Sequence, residues 1–152
     1  MGNKRILAVD DDKAVLRNFK QILELEGYIV DTAETGRDAI DRSNSKSYNL
    51  ALIDIRLPDM DGTELLTSMR EREPRTVKII VTGYPSLENA IQAVNRGADG
   101  YVVKPIVNMD AFLSTIREHL KKQEESERYT EEKVAEYIES RAREHEAEEA
   151  ML

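Results

Sequence analysis

The chain of 152 residues is long enough to form one domain with a sizeable hydrophobic core. Its net charge of −8 opposes direct nucleic-acid binding, which requires a basic face, and opposes attraction to anionic membranes. The absence of cysteine excludes disulfides and thiolate chemistry, and the absence of a signal-peptide pattern or a long apolar run leads us to expect a cytoplasmic protein.

The first predicted strand is the apolar run 6–9, and three consecutive aspartates follow it. Apolar residues at helical spacing then predict a first helix, which Gly27 ends. Asp12 stands where its side chain can cap this helix. Capping does not account for Asp10 and Asp11, whose neighbouring charges repel each other and require another explanation.

The chain up to about residue 122 repeats this alternation of a short apolar run and a helix. Further strands are predicted at 28–30, 50–53, 77–81 and 101–103. The helices that follow strands two to five begin at residues suited to capping, namely Thr35, Asp61, Ser86 and Asn108. Five strands alternating with five helices predict an α/β fold: a doubly wound parallel sheet of flavodoxin-like (βα)5 type, with strand order 2-1-3-4-5.

Polar side chains stand at the C-terminal ends of four strands: Asp10 and Asp11, Asp54, Thr82 and Lys104. Because these ends lie at one edge of a parallel sheet, we expect the carboxylates after strands one and three to converge in one crevice. At an effective dielectric of ~20, two charges 4 Å apart repel by about 4 kcal/mol. Mg²⁺ offsets such repulsion, prefers oxygen ligands and keeps water positions open for phosphate.

This combination of groups suits phosphoryl transfer, in which catalysis is mainly positioning and charge neutralisation. The carboxylate of Asp54, at the end of the central strand, is the expected nucleophile and can form an acyl phosphate. Lys104 would supply a compact positive charge, and Thr82 would supply a hydroxyl donor. The alternative is that these are incidental residues at strand ends, and their grouping on one edge argues against it.

Residues 4 to about 122 resemble the receiver domain of two-component response regulators. The resemblance rests on four segments in the family's order and approximate spacing: VDDD at 9–12, DIRLPDMDG at 54–62, VTGY at 81–84 and YVVKP at 101–105. The sequence departs from the family at Ile106, where many members have phenylalanine, and this departure concerns no catalytic residue.

The resemblance implies a phosphorylation-controlled signalling switch rather than an enzyme acting on a separate substrate. A histidine kinase or a phosphotransfer protein would transfer its phosphoryl group from phosphohistidine to Asp54. Mg²⁺ would be held by Asp11 and Asp54, by Asp10 through water, and by the backbone carbonyl of Arg56.

The resemblance also implies the groups that read the phosphoryl group. Thr82 and Lys104 would contact its oxygens, and Tyr101 would be the switch aromatic that moves inward when Thr82 closes on the phosphate. The peptide bond between Lys104 and Pro105 is expected to be cis. We expect the fourth helix, fifth strand and fifth helix to form the face that responds to phosphorylation.

Two other functional classes share parts of this pattern. Phosphatases of the haloacid-dehalogenase class also use an aspartate nucleophile with Mg²⁺, but they need a second acid two residues later, where this chain has Arg56. A flavodoxin-like FMN carrier needs a loop rich in Ser, Thr or Gly after strand one, where the aspartates at 10–12 would repel a phosphate unless a metal intervened. The intact set of acids, Thr82 and Lys104 argues against a degenerate receiver that serves only in binding.

The composition changes near residue 121, after which acidic residues outnumber basic ones about twofold. We therefore predict a receiver domain at 4–122 and an acidic helical extension at 123–152. Thr130 can cap a new helix, which predicts a break near 126–130. The apolar stripe of this helix is too thin to fold alone; it comprises Val134, Tyr137, Ile138, Ala142 and Leu152.

Three interpretations of the extension stay open: a solvated and partly frayed helix, a helix that packs on the receiver or on a second copy, and a linker toward an output module. We favour a homodimer contact through or beside the face formed by the fourth and fifth helices. The extension has neither a helix-turn-helix pattern nor a basic face, so we expect no direct DNA binding by this chain.

Overall fold

The computed structural model describes residues 3–151, in which five strands alternate with five helices. The elements are β1 (Arg5–Val9), α1 (Lys13–Leu25), β2 (Ile29–Ala33), α2 (Gly36–Ser45), β3 (Leu50–Ile53), α3 (Gly62–Arg72), β4 (Val77–Thr82), α4 (Leu87–Asn95), β5 (Gly100–Val103) and α5 (Met109–Ala150). The strands are parallel and lie in the order β2-β1-β3-β4-β5. The predicted fold class and strand order are confirmed.

The central strands of the sheet are buried on both faces. No residue of β3 is more than 1% exposed, and β4 is buried along its whole length. A parallel strand covered by helices on both sides has no solvent face that would require polar residues, which explains why these strands are largely apolar. The register pairs Val9 of β1 with Ile53 of β3, so the residues that follow these two strands emerge side by side.

The predicted starts of α1 to α5 are confirmed. The side chains of Asp12, Thr35, Asp61, Ser86 and Asn108 accept hydrogen bonds from backbone N–H groups in the first turns of α1 to α5. These bonds satisfy donors that a helix start leaves without partners. At the other end of α1, the φ angle of Gly27 is +93°, so the predicted left-handed stop is also confirmed.

The predicted break near 126–130 is wrong, because α5 continues without interruption from Met109 to Ala150. The Thr130 hydroxyl donates to the carbonyl of Ser126 at 3.0 Å, a bond within the helix rather than a cap. This stretch contains neither Gly nor Pro, and most of its residues favour helix. Ion pairs four residues apart, such as Arg128 with Glu124 and Arg143 with Glu139, add modest support.

The chain divides into two compact units at Ser114, within α5, and the predicted domain boundary after residue 122 stays a prediction. In the second unit the predicted apolar stripe is exposed: Val134, Tyr137 and Ile138 are 52%, 65% and 61% accessible to solvent. Leu152, the last residue of that stripe, lies outside the described residues. Within 3–151, no helix combines the length and apolar character needed to cross a membrane.

Candidate functional site

Three carboxylates meet at the C-terminal ends of β1 and β3. One carboxylate oxygen from each of Asp10, Asp11 and Asp54 lies within 4.8 Å of the others. Asp10 and Asp54 are buried, whereas Asp11 is exposed. The backbone N–H of Asp54 donates to the carbonyl of Val9 at 2.9 Å, which extends the pairing of the two strands by one residue. The convergence expected from the strand order is therefore present.

Lys104 brings a positive charge to these acids from the end of β5. Its Nζ atom lies 2.8 Å from an Asp10 carboxylate oxygen and 3.5 Å from an Asp54 carboxylate oxygen. The Lys104–Pro105 peptide bond is cis, as predicted. The backbone N–H of Lys104 donates to the carbonyl of Thr82 at 2.7 Å, which holds this residue beside the end of β4.

The electrostatics of the cluster show why it suits a further cation. Burial raises the pKa of the Asp54 carboxyl, and the charge of Asp10 raises it further, while Lys104 opposes both effects. Burial alone would lower the pKa of Lys104, but the hydrogen bond and charge of Asp10, together with Asp54, raise it. One ammonium group does not neutralise three carboxylates. The remaining charge and the all-oxygen donor set fit a hard divalent cation such as Mg²⁺.

Thr82 is the last residue of β4 and is fully buried. Its hydroxyl oxygen accepts the backbone N–H of Tyr84 at 3.0 Å, and a hydroxyl that accepts in this way still has its own proton to donate. The register of β4 with β5 pairs Thr82 with Val103, so Thr82 lies next to the strand end that carries Lys104.

Tyr101 is connected to the site by hydrogen bonds through Asn89. Its partly buried ring packs against the core, and its hydroxyl donates to the side-chain oxygen of Asn89 in α4. The Asn89 side-chain amide donates to the carbonyl of Tyr84 at 2.9 Å, and its oxygen accepts the N–H of Ser86. Asn89 therefore connects Tyr101 with the loop after β4. Asn89 was not predicted as a site residue, although its place three residues after the cap Ser86 is a capping-box position.

Arg56 lies in the loop after β3 and makes two contacts that bear on the site. Its backbone N–H donates to an Asp54 carboxylate oxygen at 3.4 Å. Its guanidinium carbon stands 3.6 Å from the centre of the Tyr84 ring, a cation–π contact between the loops after β3 and β4. The contact between Arg56 and Tyr84 was not predicted, because no local pattern marks an aromatic residue that stacks on another loop.

The structure thus groups the predicted site residues at the predicted edge of the sheet. Asp10, Asp11, Asp54 and Lys104 come together directly. The backbone N–H of Arg56 donates to the Asp54 carboxylate, and the pairing of β4 with β5 places Thr82 beside the strand end that carries Lys104. Tyr101 is connected to the site through its hydrogen bond to Asn89. Such an arrangement can hold a divalent cation beside a carboxylate nucleophile and can neutralise charge on a phosphoryl group.

Comparison with known proteins extends these observations. The family model of the response regulator receiver domain matches residues 6–117. A CheY-like receiver domain protein from Methanospirillum hungatei JF-1 is 50% identical, with a TM-score of 0.80, over 82% of this chain and 99% of that one. The response regulator TrrA from Thermotoga maritima, solved in complex with Mg²⁺–BeF, is 33% identical, with a TM-score of 0.69, over 76% of this chain and 98% of that one.

Longer curated proteins also match part of this chain. The alginate biosynthesis transcriptional regulatory protein AlgB of Pseudomonas syringae pv. tomato is 36% identical over 114 residues, which are 75% of this chain and 25% of AlgB. This chain thus spans about a quarter of the length of that relative. The family-model match covers most of the chain, and nearly the whole of each of the two solved receiver domains aligns with it. The chain therefore belongs to the response regulator receiver domain family.

Proposed function

We propose that this chain is a phosphoacceptor switch, in which Asp54 accepts a phosphoryl group from the phosphohistidine of a histidine kinase or a phosphotransfer protein. The observation that supports this most is the surroundings of the Asp54 carboxylate. It is buried at the end of the central strand, beside two further carboxylates and 3.5 Å from the Lys104 ammonium. A nucleophile and charge-neutralising groups on rigid strand ends are what phosphoryl transfer requires.

In the proposed reaction, a carboxylate oxygen of Asp54 attacks phosphorus and forms an acyl phosphate. The bond from phosphorus to the donor's imidazole nitrogen breaks, and its electron pair returns to the ring. Lys104 neutralises charge on the phosphoryl oxygens, and the Thr82 hydroxyl donates to one of them. These groups need little rearrangement, because the sheet already holds them at one edge.

Mg²⁺ is the cofactor we propose, and the donor set of the cluster supports it. Asp11 and Asp54 would bind it directly, Asp10 through water, and Arg56 through its carbonyl. When bound, Mg²⁺ would neutralise negative charge on the transferring phosphoryl group. The TrrA relative was solved with Mg²⁺–BeF, which agrees with this choice of metal.

The direct test of the proposal is phosphorylation of the full chain. Intact-mass spectrometry after incubation with phosphoramidate and Mg²⁺ should show the addition of one phosphoryl group. Omission of Mg²⁺ or addition of a chelator should prevent it, because the cluster then lacks its neutralising cation. An unchanged mass under all conditions would contradict the proposed function.

The phosphoryl group would act on α4 and β5 through the hydrogen bonds that begin at Thr82. It replaces the single carboxylate charge of Asp54 with a group that carries a charge of about −2, where the hydroxyl of Thr82 can donate to it. Movement of this hydroxyl would end its bond with the Tyr84 N–H and disturb the connection from Tyr84 through Asn89 to Tyr101. The phosphoryl group shifts the equilibrium only as far as it favours one arrangement over the other.

The Thr82→Ala variant should separate phosphorylation from this response. We expect it to accept a phosphoryl group at Asp54, while the amide resonances of Asn89 and Tyr101 no longer shift on phosphorylation. Thr82→Ser is the matched control, because it keeps the hydroxyl and should keep the shifts. Heteronuclear NMR spectra with and without phosphoramidate measure the effect. Shifts in Thr82→Ala equal to those of the wild type would contradict this route.

We further propose that the extension takes part in a homodimer contact. Val134, Tyr137 and Ile138 are more than half exposed, as are Leu87 and Val94 of α4. Burial of three side chains such as those of the extension contributes roughly 4–8 kcal/mol before entropy costs. An acidic helix with an exposed apolar stripe gains this free energy only by association.

Truncation after Lys122 should weaken self-association and leave phosphorylation of Asp54 intact. The double variant Val134→Gln, Ile138→Gln should act in the same direction while keeping the length of the helix. Sedimentation of each protein with and without phosphoramidate measures the oligomeric state. If every sample, including the wild type, sediments as a monomer, the dimer proposal is wrong and the extension is a solvated helix or a linker.

A further inference from the structure

Asp59 connects the loop that follows Asp54 with the start of α2. Its carboxylate oxygens accept the backbone N–H groups of Gly36 and Arg37, each at 2.9 Å. These are the first two residues of α2, whose own cap Thr35 accepts the N–H of a later residue. The backbone N–H groups at the start of this helix therefore find acceptors in two places: the neighbouring Thr35 and a loop more than twenty residues away.

The same loop lies directly on the helix, so the bonds of Asp59 belong to a close fit. A Cβ atom added at Gly36 would lie 2.4 Å from the sulfur of Met60, which real Cβ atoms do not tolerate. Met60 is partly buried and packs against the hydrophobic core. Asp59 and Met60 form the tip of this loop. The hydrogen bonds of the Asp59 carboxylate and the packing of Met60 together fix its position against α2.

The base of the loop is held just as closely. Gly62 donates to the carbonyl of Ile55 at 2.7 Å, and a Cβ atom at Gly62 would lie 2.2 Å from the carbonyl oxygen of Asp54. Arg56 and Asp61 form an isolated antiparallel bridge across the loop. Only four residues separate Arg56 from Asp61, so the position of the loop tip constrains the backbone of Arg56.

We infer that Asp59 is a positioning residue for the metal site, because it anchors to α2 the loop that carries the backbone of Arg56. The inference rests on the proposed function in one respect, that Mg²⁺ binds at the acidic cluster with the Arg56 carbonyl as a ligand. Asp59 is exposed, but its negative charge faces the N-terminus of α2. The hydrogen bonds from the N–H groups of Gly36 and Arg37 hold the pKa of Asp59 below its usual range.

Mg²⁺ titration of the full chain without a phosphodonor tests this inference, with amide resonances as the readout. In the wild type, Mg²⁺ should shift the resonances of Gly36 and Arg37, since their N–H groups are bonded to the loop that the metal engages. Asp59→Ala should lose these shifts and should bind Mg²⁺ about tenfold more weakly, as is typical when a partner that orients a ligand is removed.

Asp59→Asn separates anchoring from charge. It removes the same charge as Asp59→Ala, but its side-chain oxygen still accepts one of the two N–H groups. We therefore expect its Mg²⁺ affinity to lie between those of the wild type and Asp59→Ala. If the spectrum of Asp59→Ala shows that this variant does not fold, Asp59→Asn can still be compared with the wild type.

Two control variants, one at the cap of α2 and one within it, separate helix stability and surface charge from the anchoring by Asp59. Thr35→Ala removes the local cap, which accepts the Asp38 N–H at 3.0 Å, and should lower the midpoint of thermal unfolding without changing Mg²⁺ affinity. Asp41→Ala removes one exposed carboxylate, which pairs with the Arg37 side chain, and should also leave Mg²⁺ affinity unchanged.

The inference is overturned if Asp59→Ala binds Mg²⁺ as the wild type does. It is also overturned if Asp59→Asn and Asp59→Ala lose equal affinity, because charge alone would then explain the effect. Neither result depends on phosphorylation, so a chain that binds Mg²⁺ but accepts no phosphoryl group would refute the proposed function and still leave the role of Asp59 measurable.

Discussion

The Asp54→Asn variant should accept no phosphoryl group from phosphoramidate in the presence of Mg²⁺, whereas the wild type should accept one. The neutral amide is a poor nucleophile and cannot replace the carboxylate in forming an acyl phosphate. The other acids of the cluster should not accept the phosphoryl group in place of Asp54. Asp10 is engaged with Lys104 at 2.8 Å, and Asp11 is exposed at the edge of the cluster.

Intact-mass spectrometry and peptide mapping of the two proteins measure this effect. Asp12→Asn is the matched control, because it replaces a neighbouring carboxylate with an amide that caps a helix equally well. It should be labelled like the wild type and keep the start of α1, where the Asp12 side chain accepts the N–H of Ala14 at 2.9 Å. Full labelling of Asp54→Asn would show that another residue is the acceptor.

The second large effect concerns Asp11 and Lys104, which should act in opposite directions on the metal. Asp11→Ala removes a carboxylate from the cluster, and we expect Mg²⁺ affinity to fall by at least about tenfold. Lys104→Ala removes the ammonium that lies 3.5 Å from Asp54. Mg²⁺ affinity should then stay equal or improve, because one competing positive charge is gone.

Phosphorylation should respond differently in the same two variants. At saturating Mg²⁺ we expect Lys104→Ala to be slower than the wild type by about a hundredfold, the usual cost of losing one preorganised charge-stabilising donor. Calorimetric titration of Mg²⁺ measures binding, and single-turnover labelling measures the rate of phosphorylation. Equal losses of Mg²⁺ affinity in the two variants would contradict these separate roles.

Where sequence and structure agree, the reason is local. The strands were predicted from short apolar runs, because a strand covered on both faces has no polar side. The helix starts were predicted from residues such as Thr35 and Asp61, because capping bonds join residues two or three apart in the chain. The alternation of strands and helices predicted a doubly wound parallel sheet, and the flavodoxin-like order expected for that class predicted that Asp10 and Asp54 would meet.

Where sequence and structure differ, two local signals competed: the capping chemistry of one threonine and the helix-favouring residues around it. Thr130 has the chemistry of a cap, but a cap forms only where the helix has a reason to begin again. The residues on both sides favour a continuous helix, and the Thr130 hydroxyl instead bonds to the Ser126 carbonyl one turn earlier. A threonine within a helix and a threonine at its start look alike in sequence, so only the surrounding helix decided between them.

The strands, the helix starts and the edge of the sheet at which the acids lie could be predicted from the sequence, because they depend on periodicity, on capping and on the geometry of parallel strands. Three contacts became visible only in the folded chain: Asp59 with the start of α2, Arg56 with Tyr84, and Tyr101 with Asn89. These pairs join residues that are 12 to 28 positions apart in the chain. Their contacts depend on loop conformations that no local pattern specifies, since packing on the completed sheet selects those conformations.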